Sequence, residues 1–174
     1  NADSMQVYRG MDVGTAKPTE EEKRGVPHHL LDVVDPDQPF NAARYRELAA
    51  PVVEEITGSG RACFVVGGTG LYIRALLGGL FECPQASPAL RARLSSEWEE
   101  EGGESLHERL QSLDPEAAGR VHPNDRMRVL RALEVIELTG RPFSALAADH
   151  RFRERRFDAL KICLHMSRER LYER

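Results

Sequence analysis

Residues 63–72 read CFVVGGTGLY, an apolar run that stops at GGTG and passes at once into the helical spacing of LYIRALL. The run ACFVV at 62–66 is continuously apolar, the pattern of a strand buried on both faces of a parallel sheet. Strand, glycine turn and helix are half of a βα unit, so the fold class read here is α/β with a parallel-sheet core. The turn sets the amides of Gly68, Thr69 and Gly70 at a helix N-terminus, where N–H donors and partial positive charge suit an anion. Glycine there lets a ligand come closer to the backbone than a β-carbon permits. A tight turn with no ligand fits the same residues. G-x-G-x-x-G is absent and no glycine precedes Lys and Ser or Thr, which excludes a dinucleotide fingerprint and a Walker A loop.

Outward from this turn the organisation is readable. Asn41 caps a helix running to about Thr57, with Tyr45, Leu48, Val52 and Ile56 along one stripe. Residues 10–39 are rich in Gly, Pro and Asp and form a long excursion, with a short helix at EEEKR and a short strand at LLDVV. Downstream, FECPQASPAL is a proline-marked linker, and 83–150 is helical with no strand signal. A helix there is capped near Asn124. HRFRERRF is a basic linker, after which DALKICLHM alternates like a strand and Ser167 caps a last helix. The expected arrangement is an α/β core of 1–82 and 151–174, interrupted by a helical insertion at 83–150. NADSMQVYRG reads as a strand end or the loop after it, with no strand before it, which leads us to expect an upstream segment.

Composition narrows the function. The chain has 174 residues, 41% hydrophobic and 30% charged, which is globular rather than disordered. No apolar run approaches the ~20 residues of a membrane helix. Cys63, Cys83 and Cys163 have no metal-type spacing. All three are read as reduced, and Cys63 and Cys163 as lying in buried strands, which fits a cytoplasmic protein. Residues 1–119 carry 11 basic and 20 acidic side chains, whereas 120–174 carry 13 and 8. All but three of the 24 basic residues are arginine, the better bidentate partner for phosphate, so a local basic face for nucleic acid is expected in the C-terminal third.

Single residues carry two readings each. Asp3 stands at the C-terminal edge of a strand, the side that faces the ligand crevice in open α/β sheets, and there a carboxylate accepts a proton or binds a metal-bound water. Equally, Asp3 or Ser4 caps a turn. Tyr8, Arg9 and Lys17 serve phosphate or nothing. His28 and His29 point in different directions and have no third ligand, so a structural role is favoured over metal binding. In HPNDRMRVLRALEVIELTG, Arg128 and Arg131 are neighbours on one helix face, while Leu130, Leu133, Ile136 and Glu137 mark a face that is mostly packing. Arg126 is read as solvated.

Taken together, DSMQVYRGMDVGTAKPT, VPHHLLDVVDP, VGGTGLY and HPNDRMRVLRALEVIELTGRP, in this order and spacing, resemble the tRNA dimethylallyltransferases, also called tRNA isopentenyltransferases. The resemblance runs essentially from end to end of the chain. It implies a partial P-loop-type core with an inserted tRNA-binding helical domain, and a P-loop with its magnesium ligands upstream of Asn1, so no metal ligand is expected in this chain. It implies transfer of a dimethylallyl group from dimethylallyl diphosphate to the N6 amine of the adenosine 3′ of the anticodon. Asp3 matches the family's general base, and Thr69 the threonine that helps hold the diphosphate, with Gly68 and Gly70 beside it. Asp3, Ser4, Met5, Gln6 and Thr69 match tRNA contacts, as do Arg91 and the segment Met127, Arg128, Val129, Leu130 and Arg131. The partners implied are a tRNA anticodon stem-loop and dimethylallyl diphosphate, with no membrane, and the protein is expected to be a monomer. The 174 residues alone are expected to be inactive. An adenylate isopentenyltransferase would share the core and the base, although a free nucleotide does not need the arginine-bearing insertion. A nucleotide- or RNA-binding module without chemistry is the other reading.

Overall fold

The computed structural model describes residues 1–80, 87–150 and 152–173. It divides into two compact units, one of Asn1–Gly79 with Glu154–Arg174 and one of Leu80–Arg153. The expected boundary at 82/83, most of the proline-marked linker, Cys83, and Arg151 at the second boundary lie outside the described residues.

In the first unit, α1 (Glu20–Lys23) is one turn closed by a reciprocal cap between Thr19 and Glu22. Helix α2 (Ala42–Gly58) starts at Asn41, whose Oδ1 accepts from the Arg44 amide at 3.0 Å. Helix α3 (Gly70–Gly78) follows directly on Thr69. The two long helices join through the rings of Tyr45 and Tyr72, stacked 4.4 Å apart with 11° between their planes, and Phe40 meets Tyr72 edge-on. Burial, with Cys63 and Tyr72 nearby, pushes the Tyr45 hydroxyl up to about 12, so the stack stays neutral.

The second unit packs α4 (Pro88–Glu101), α5 (Gly103–Leu113), α6 (Pro115–Ala118), α7 (Arg126–Thr139) and α8 (Phe143–His150). Its core is Leu94, Leu106, Leu110, Val129 and Leu133, with Trp98 and Phe143 against it. The cap of α7 is Asp125, one residue beyond the expected Asn124, and its Oδ1 accepts from the Arg128 amide at 3.2 Å. Asp114 is buried and ties α6 to α8. It accepts from the Ala117 amide at 3.0 Å, the Ser144 amide at 2.8 Å and the Ser144 hydroxyl at 2.6 Å.

Burial alone would raise the Asp114 carboxyl, but these donors outweigh it and hold it below the ordinary aspartate value. A carboxyl lowered by folding stabilises the folded state above its unfolded-state pKa and loses that contribution as pH falls through the folded one. Asp114→Asn is therefore expected to destabilise the protein by about 1–3 kcal/mol near neutral pH, with the gap from wild type closing below about pH 4. Thermal unfolding of both proteins across that range checks it. A gap independent of pH would show that the charge contributes nothing.

The strands expected at 30–34, 62–66 and 158–166 do not form among the described residues. In LLDVV, Leu30 and Asp32 take φ of 63° and 53°. Left-handed residues at alternate positions break a pleated ladder, and only an isolated parallel bridge of Tyr8 with Val34 remains. The run 62–66 is held near its end alone, where Val66 accepts from the Ala2 amide at 2.7 Å. Phe64 is 81% exposed, and the run lines a cleft of about 630 Å³ together with Tyr45, Ala49, Val52 and Ile56 of α2. Along 158–166, Leu160, Ile162 and Leu164 are exposed, Cys163 is exposed and Cys63 half-buried, against the expectation of buried strands. A strand is made by its ladder, and an extended run without a paired neighbour stays irregular however apolar it is. The last helix, α9 (Arg168–Tyr172), starts at Ser167 as read from the sequence.

Candidate functional site

Two segments 65 residues apart in sequence meet in the first unit. The Ser4 amide donates to Thr69 Oγ1 at 2.9 Å. The Thr69 amide donates to the Ala2 carbonyl at 3.1 Å, and the Ala2 amide to Val66 at 2.7 Å. Ala2 is fully buried beneath them. The carboxylate of Asp3 curls into its own loop, with Oδ1 accepting from the amides of Met5 at 2.8 Å and Gln6 at 3.3 Å. This is an Asx turn, so the capping reading of Asp3 holds locally. It also fixes the carboxylate beside the glycine turn. Thr69 is the N-cap of α3 but its side chain caps no helix amide, because Oγ1 is taken by Ser4.

The glycines of the turn separate into two kinds. At Gly67 a β-carbon would lie 2.2 Å from the carbonyl carbon of Ala2 and 2.7 Å from the Asp3 amide, so glycine there lets the Asp3 segment cross the turn. At Gly68 and Gly70 a β-carbon would meet nothing within 4 Å, and neither has a positive φ. Neither packing nor backbone conformation explains glycine at these two positions. Both border open space at the head of α3, where the Thr69 amide is spent on Ala2 and the Tyr72 amide donates to the Thr69 carbonyl at 2.9 Å, so of the three amides expected for an anion only those of Gly68 and Gly70 remain candidates. A helix N-terminus with glycines facing open space is where an anion can approach the backbone.

The residues around Asp3 are mostly engaged in holding the loop. The Gln6 side chain donates to the carbonyls of Thr15 and Ala16, both at 2.9 Å. Lys17, almost buried, donates to Asp12 at 2.6 Å, Asp32 at 2.7 Å and the Tyr8 carbonyl at 2.7 Å. Arg9 pairs with Asp35 at 3.0 Å. Lys17 and Arg9 therefore both carry carboxylate partners. Ser4 is half-buried and Met5 exposed at the rim. His28 is exposed and its Nδ1 lies 2.8 Å from the Val26 carbonyl. Among the described residues no group of three His, Cys, Asp or Glu is placed to hold a metal.

In the second unit the segment 127–131 divides by burial. The side chains of Val129 and Leu130 fill the helical core, so within the segment it is Met127 and Arg128 that face outward. Met127 is 81% exposed and Arg128 is exposed, with Asp125 at 3.4 Å. Arg126 pairs with Glu99 at 2.8 Å. Arg93 and Arg109 are both bound to Glu97 and Glu137. Arg91 and Arg131 reach one oxygen of Glu134, at 2.7 and 2.6 Å. Sequence reasoning missed Gly67 and Glu134. The first was hidden in a glycine pair; the second was signalled only by a charge three residues after Arg131 on an otherwise apolar face.

The sequence model of the IPP transferase family matches residues 6–174. The chain is 52% identical over 174 residues to a tRNA dimethylallyltransferase of Geobacter sulfurreducens, covering all of this chain and 56% of that protein. It is 53% identical over 173 residues to a tRNA dimethylallyltransferase of Desulfosudis oleivorans, covering 99% of this chain and 55% of that one. The chain thus spans about half the length of the curated relatives it matches. Among solved structures it resembles a tRNA delta(2)-isopentenylpyrophosphate transferase of Staphylococcus epidermidis, with 40% identity, a TM-score of 0.53, and coverage of 99% of this chain and 56% of the other. It also resembles a eukaryotic dimethylallyltransferase acting on tRNA, with 29% identity, a TM-score of 0.72, and coverage of 88% and 38%. Among the described residues no helix is long and apolar enough to cross a membrane.

Proposed function

The chain belongs to the IPP transferase family, and on that premise we propose that the protein carrying it transfers a dimethylallyl group from dimethylallyl diphosphate to the N6 amine of the adenosine 3′ of the anticodon in tRNA. The observation that carries the reading is the junction of Asp3 with Thr69 through the Ser4 amide at 2.9 Å. It supports a carboxylate held in the segment that crosses the glycine turn, whose Gly68 and Gly70 amides would take the anion.

The chemistry follows from what the two groups offer. The N6 lone pair is delocalised into the purine ring, so the amine is a weak nucleophile and the leaving group needs help. Nitrogen attacks the allylic C1 carbon, the C1–O bond breaks, and its electron pair leaves with the diphosphate. The proton lost from N6 passes to Oδ2 of Asp3, the oxygen not engaged by the loop amides, and that transfer requires hydrogen-bond reach. Thr69 accepts from Ser4, so its own O–H is a donor for a diphosphate oxygen. With the Gly68 and Gly70 amides it opposes the charge that grows on the leaving group. The base has to leave the anticodon stack first, at a cost of a few kcal/mol that contacts from the segment Asp3 to Gln6 offset.

The helical unit supplies the outward side chains Arg91, Met127, Arg128 and Arg131 for the RNA. The same proposal takes 1–82 and 151–174 as the α/β core and 83–150 as its tRNA-binding insertion. The runs 62–66 and 158–166 are then strands of the whole protein's sheet, where pairing covers their exposed side chains. It takes the protein as a cytoplasmic monomer using magnesium, and each step above is assigned to this chain's own residues.

The test is a transfer assay on the whole gene product with magnesium and dimethylallyl diphosphate, offering an anticodon stem-loop and free AMP in parallel and following acceptor mass. A gain on the stem-loop alone is the expected result. A gain on AMP alone replaces the reading with an adenylate isopentenyltransferase, and no gain on either leaves a binding module.

A further inference from the structure

The Lys17 side chain is 6% exposed, although it closes a surface turn whose Asp12, Val13 and Gly14 are all exposed. An ammonium has three N–H donors, and three acceptors meet this one. They are the Tyr8 carbonyl at 2.7 Å, Asp12 Oδ1 at 2.6 Å and Asp32 Oδ1 at 2.7 Å. Burial disfavours the charge, yet the hydrogen bonds to Asp12 and Asp32 outweigh it and hold the ammonium above the ordinary lysine value. The two carboxylates converge on this one cation and would repel each other without it.

The three acceptors come from three stretches of chain. Tyr8 ends the segment that begins at Asp3, Asp12 opens the surface turn, and Asp32 lies in the run 30–34. The same stretches hold Gln6 from two sides. Its side chain donates to the carbonyls of Thr15 and Ala16, just before Lys17, and its backbone carbonyl accepts from the Asp32 amide at 3.3 Å. The Gln6 amide in turn donates to Asp3 Oδ1. Around this node the backbone is strained, with φ of 52° at Ala16, 63° at Leu30 and 53° at Asp32. Non-glycine residues stay in the left-handed region only where their surroundings hold them, and such strain gathers where a segment must keep one shape to act. A surface loop is ordinarily the loose part of a fold, whereas this one is fastened on both sides of Gln6.

We infer that Lys17 is a positioning residue that preorganises residues 3–8 for the acceptor, by holding the surface turn and the run 30–34 against them through one ammonium. The inference rests on the reading of the acceptor as RNA. It adds that Lys17 serves the acceptor side of the site and not the diphosphate side.

The test uses the whole gene product, an anticodon stem-loop and dimethylallyl diphosphate, and reads Kd and KM for the stem-loop, KM for the diphosphate, kcat and melting temperature. Wild-type transfer to the stem-loop is established first, so failure of the RNA reading shows itself before any variant is compared. Lys17→Met keeps an unbranched apolar stem and removes the ammonium. Ordering of the loop then falls on the binding step, so Kd and KM for the stem-loop should rise about tenfold or more. Bound RNA orders the loop again, so kcat at saturating stem-loop should stay within about threefold and KM for the diphosphate within about twofold. Combining Lys17→Met with Asp12→Asn and Asp32→Asn also removes the repulsion between the carboxylates. That triple variant should regain the wild-type melting temperature while KM for the stem-loop stays high. A triple variant that regains both makes Lys17 structural alone and overturns the inference. So does a Lys17→Met protein with wild-type Kd for the stem-loop, or one in which KM for dimethylallyl diphosphate rises instead. Where Lys17→Met does not fold, Asp12→Ala decides, because that side chain is 65% exposed and carries one arm of the node. It should raise the stem-loop Kd a few-fold at an unchanged melting temperature, and a wild-type Kd there overturns the inference.

Discussion

Asp3→Asn is expected to lower kcat for transfer to the stem-loop by about 10²- to 10⁴-fold, the range over which a positioned general base contributes. Asparagine keeps the oxygen that accepts the Met5 and Gln6 amides at 2.8 and 3.3 Å, so the loop retains its shape. What it loses is the charge and the proton-accepting oxygen. Binding is therefore expected to survive, with Kd for the stem-loop within a few-fold of wild type and the melting temperature unchanged. Asp3→Ala would be a poorer test, since it removes the turn along with the base, and a slow enzyme would then have two explanations. Single-turnover transfer by the whole gene product, beside stem-loop binding under the same conditions, separates the effects. An Asp3→Asn protein with wild-type kcat would leave Asp3 as a turn residue and move the proton elsewhere.

How far such a site is legible in the sequence depends on where its causes lie. Asn41 and Ser167 announce their helices because each satisfies an amide three residues on. The periodicity of 88–148 likewise needs nothing beyond itself. The runs 30–34, 62–66 and 158–166 were legible only as apolar segments, because a strand is decided by the neighbour it pairs with, and composition says nothing of that neighbour. Left-handed Leu30 and Asp32 show the same limit at the scale of one residue. At the site, Thr69 was legible as a hydroxyl in a glycine turn, but its engagement by Ser4 was not. Val129 and Leu130 could be matched as members of a segment, yet only the packed core shows that their side chains face inward. Glu134 drew no reading from the sequence, because the two arginines on one of its oxygens come from different helices.

The second large effect is expected from Gly67→Ala. The added carbon would lie 2.2 Å from the carbonyl carbon of Ala2 and 2.3 Å from its oxygen, distances at which something must shift. Those atoms are backbone, so the clash cannot be relieved by turning a side chain. The segment 1–3 has to move, and with it go the bonds from the Ala2 amide to Val66 at 2.7 Å and from the Thr69 amide to Ala2 at 3.1 Å. Overpacking of this kind costs about 1–3 kcal/mol in stability. The catalytic cost is larger, because a reacting group misplaced by about 1 Å can lose 10²-fold in rate. Gly67→Ala is thus expected to lower kcat by about 10²-fold or more while melting only a few degrees earlier. Gly68→Ala and Gly70→Ala have open space around the new carbon and should leave the fold intact. At Gly70 alanine is the better helix former and should even raise the melting temperature slightly. If these two glycines cradle the diphosphate, both changes raise KM for dimethylallyl diphosphate with little loss of stability, the reverse of the pattern at Gly67. Thermal melts and steady-state kinetics on the three variants distinguish the cases. Wild-type KM in both Gly68→Ala and Gly70→Ala would remove the anion cradle from the mechanism, and wild-type kcat in Gly67→Ala would show that the contact with Ala2 does not set the position of Asp3.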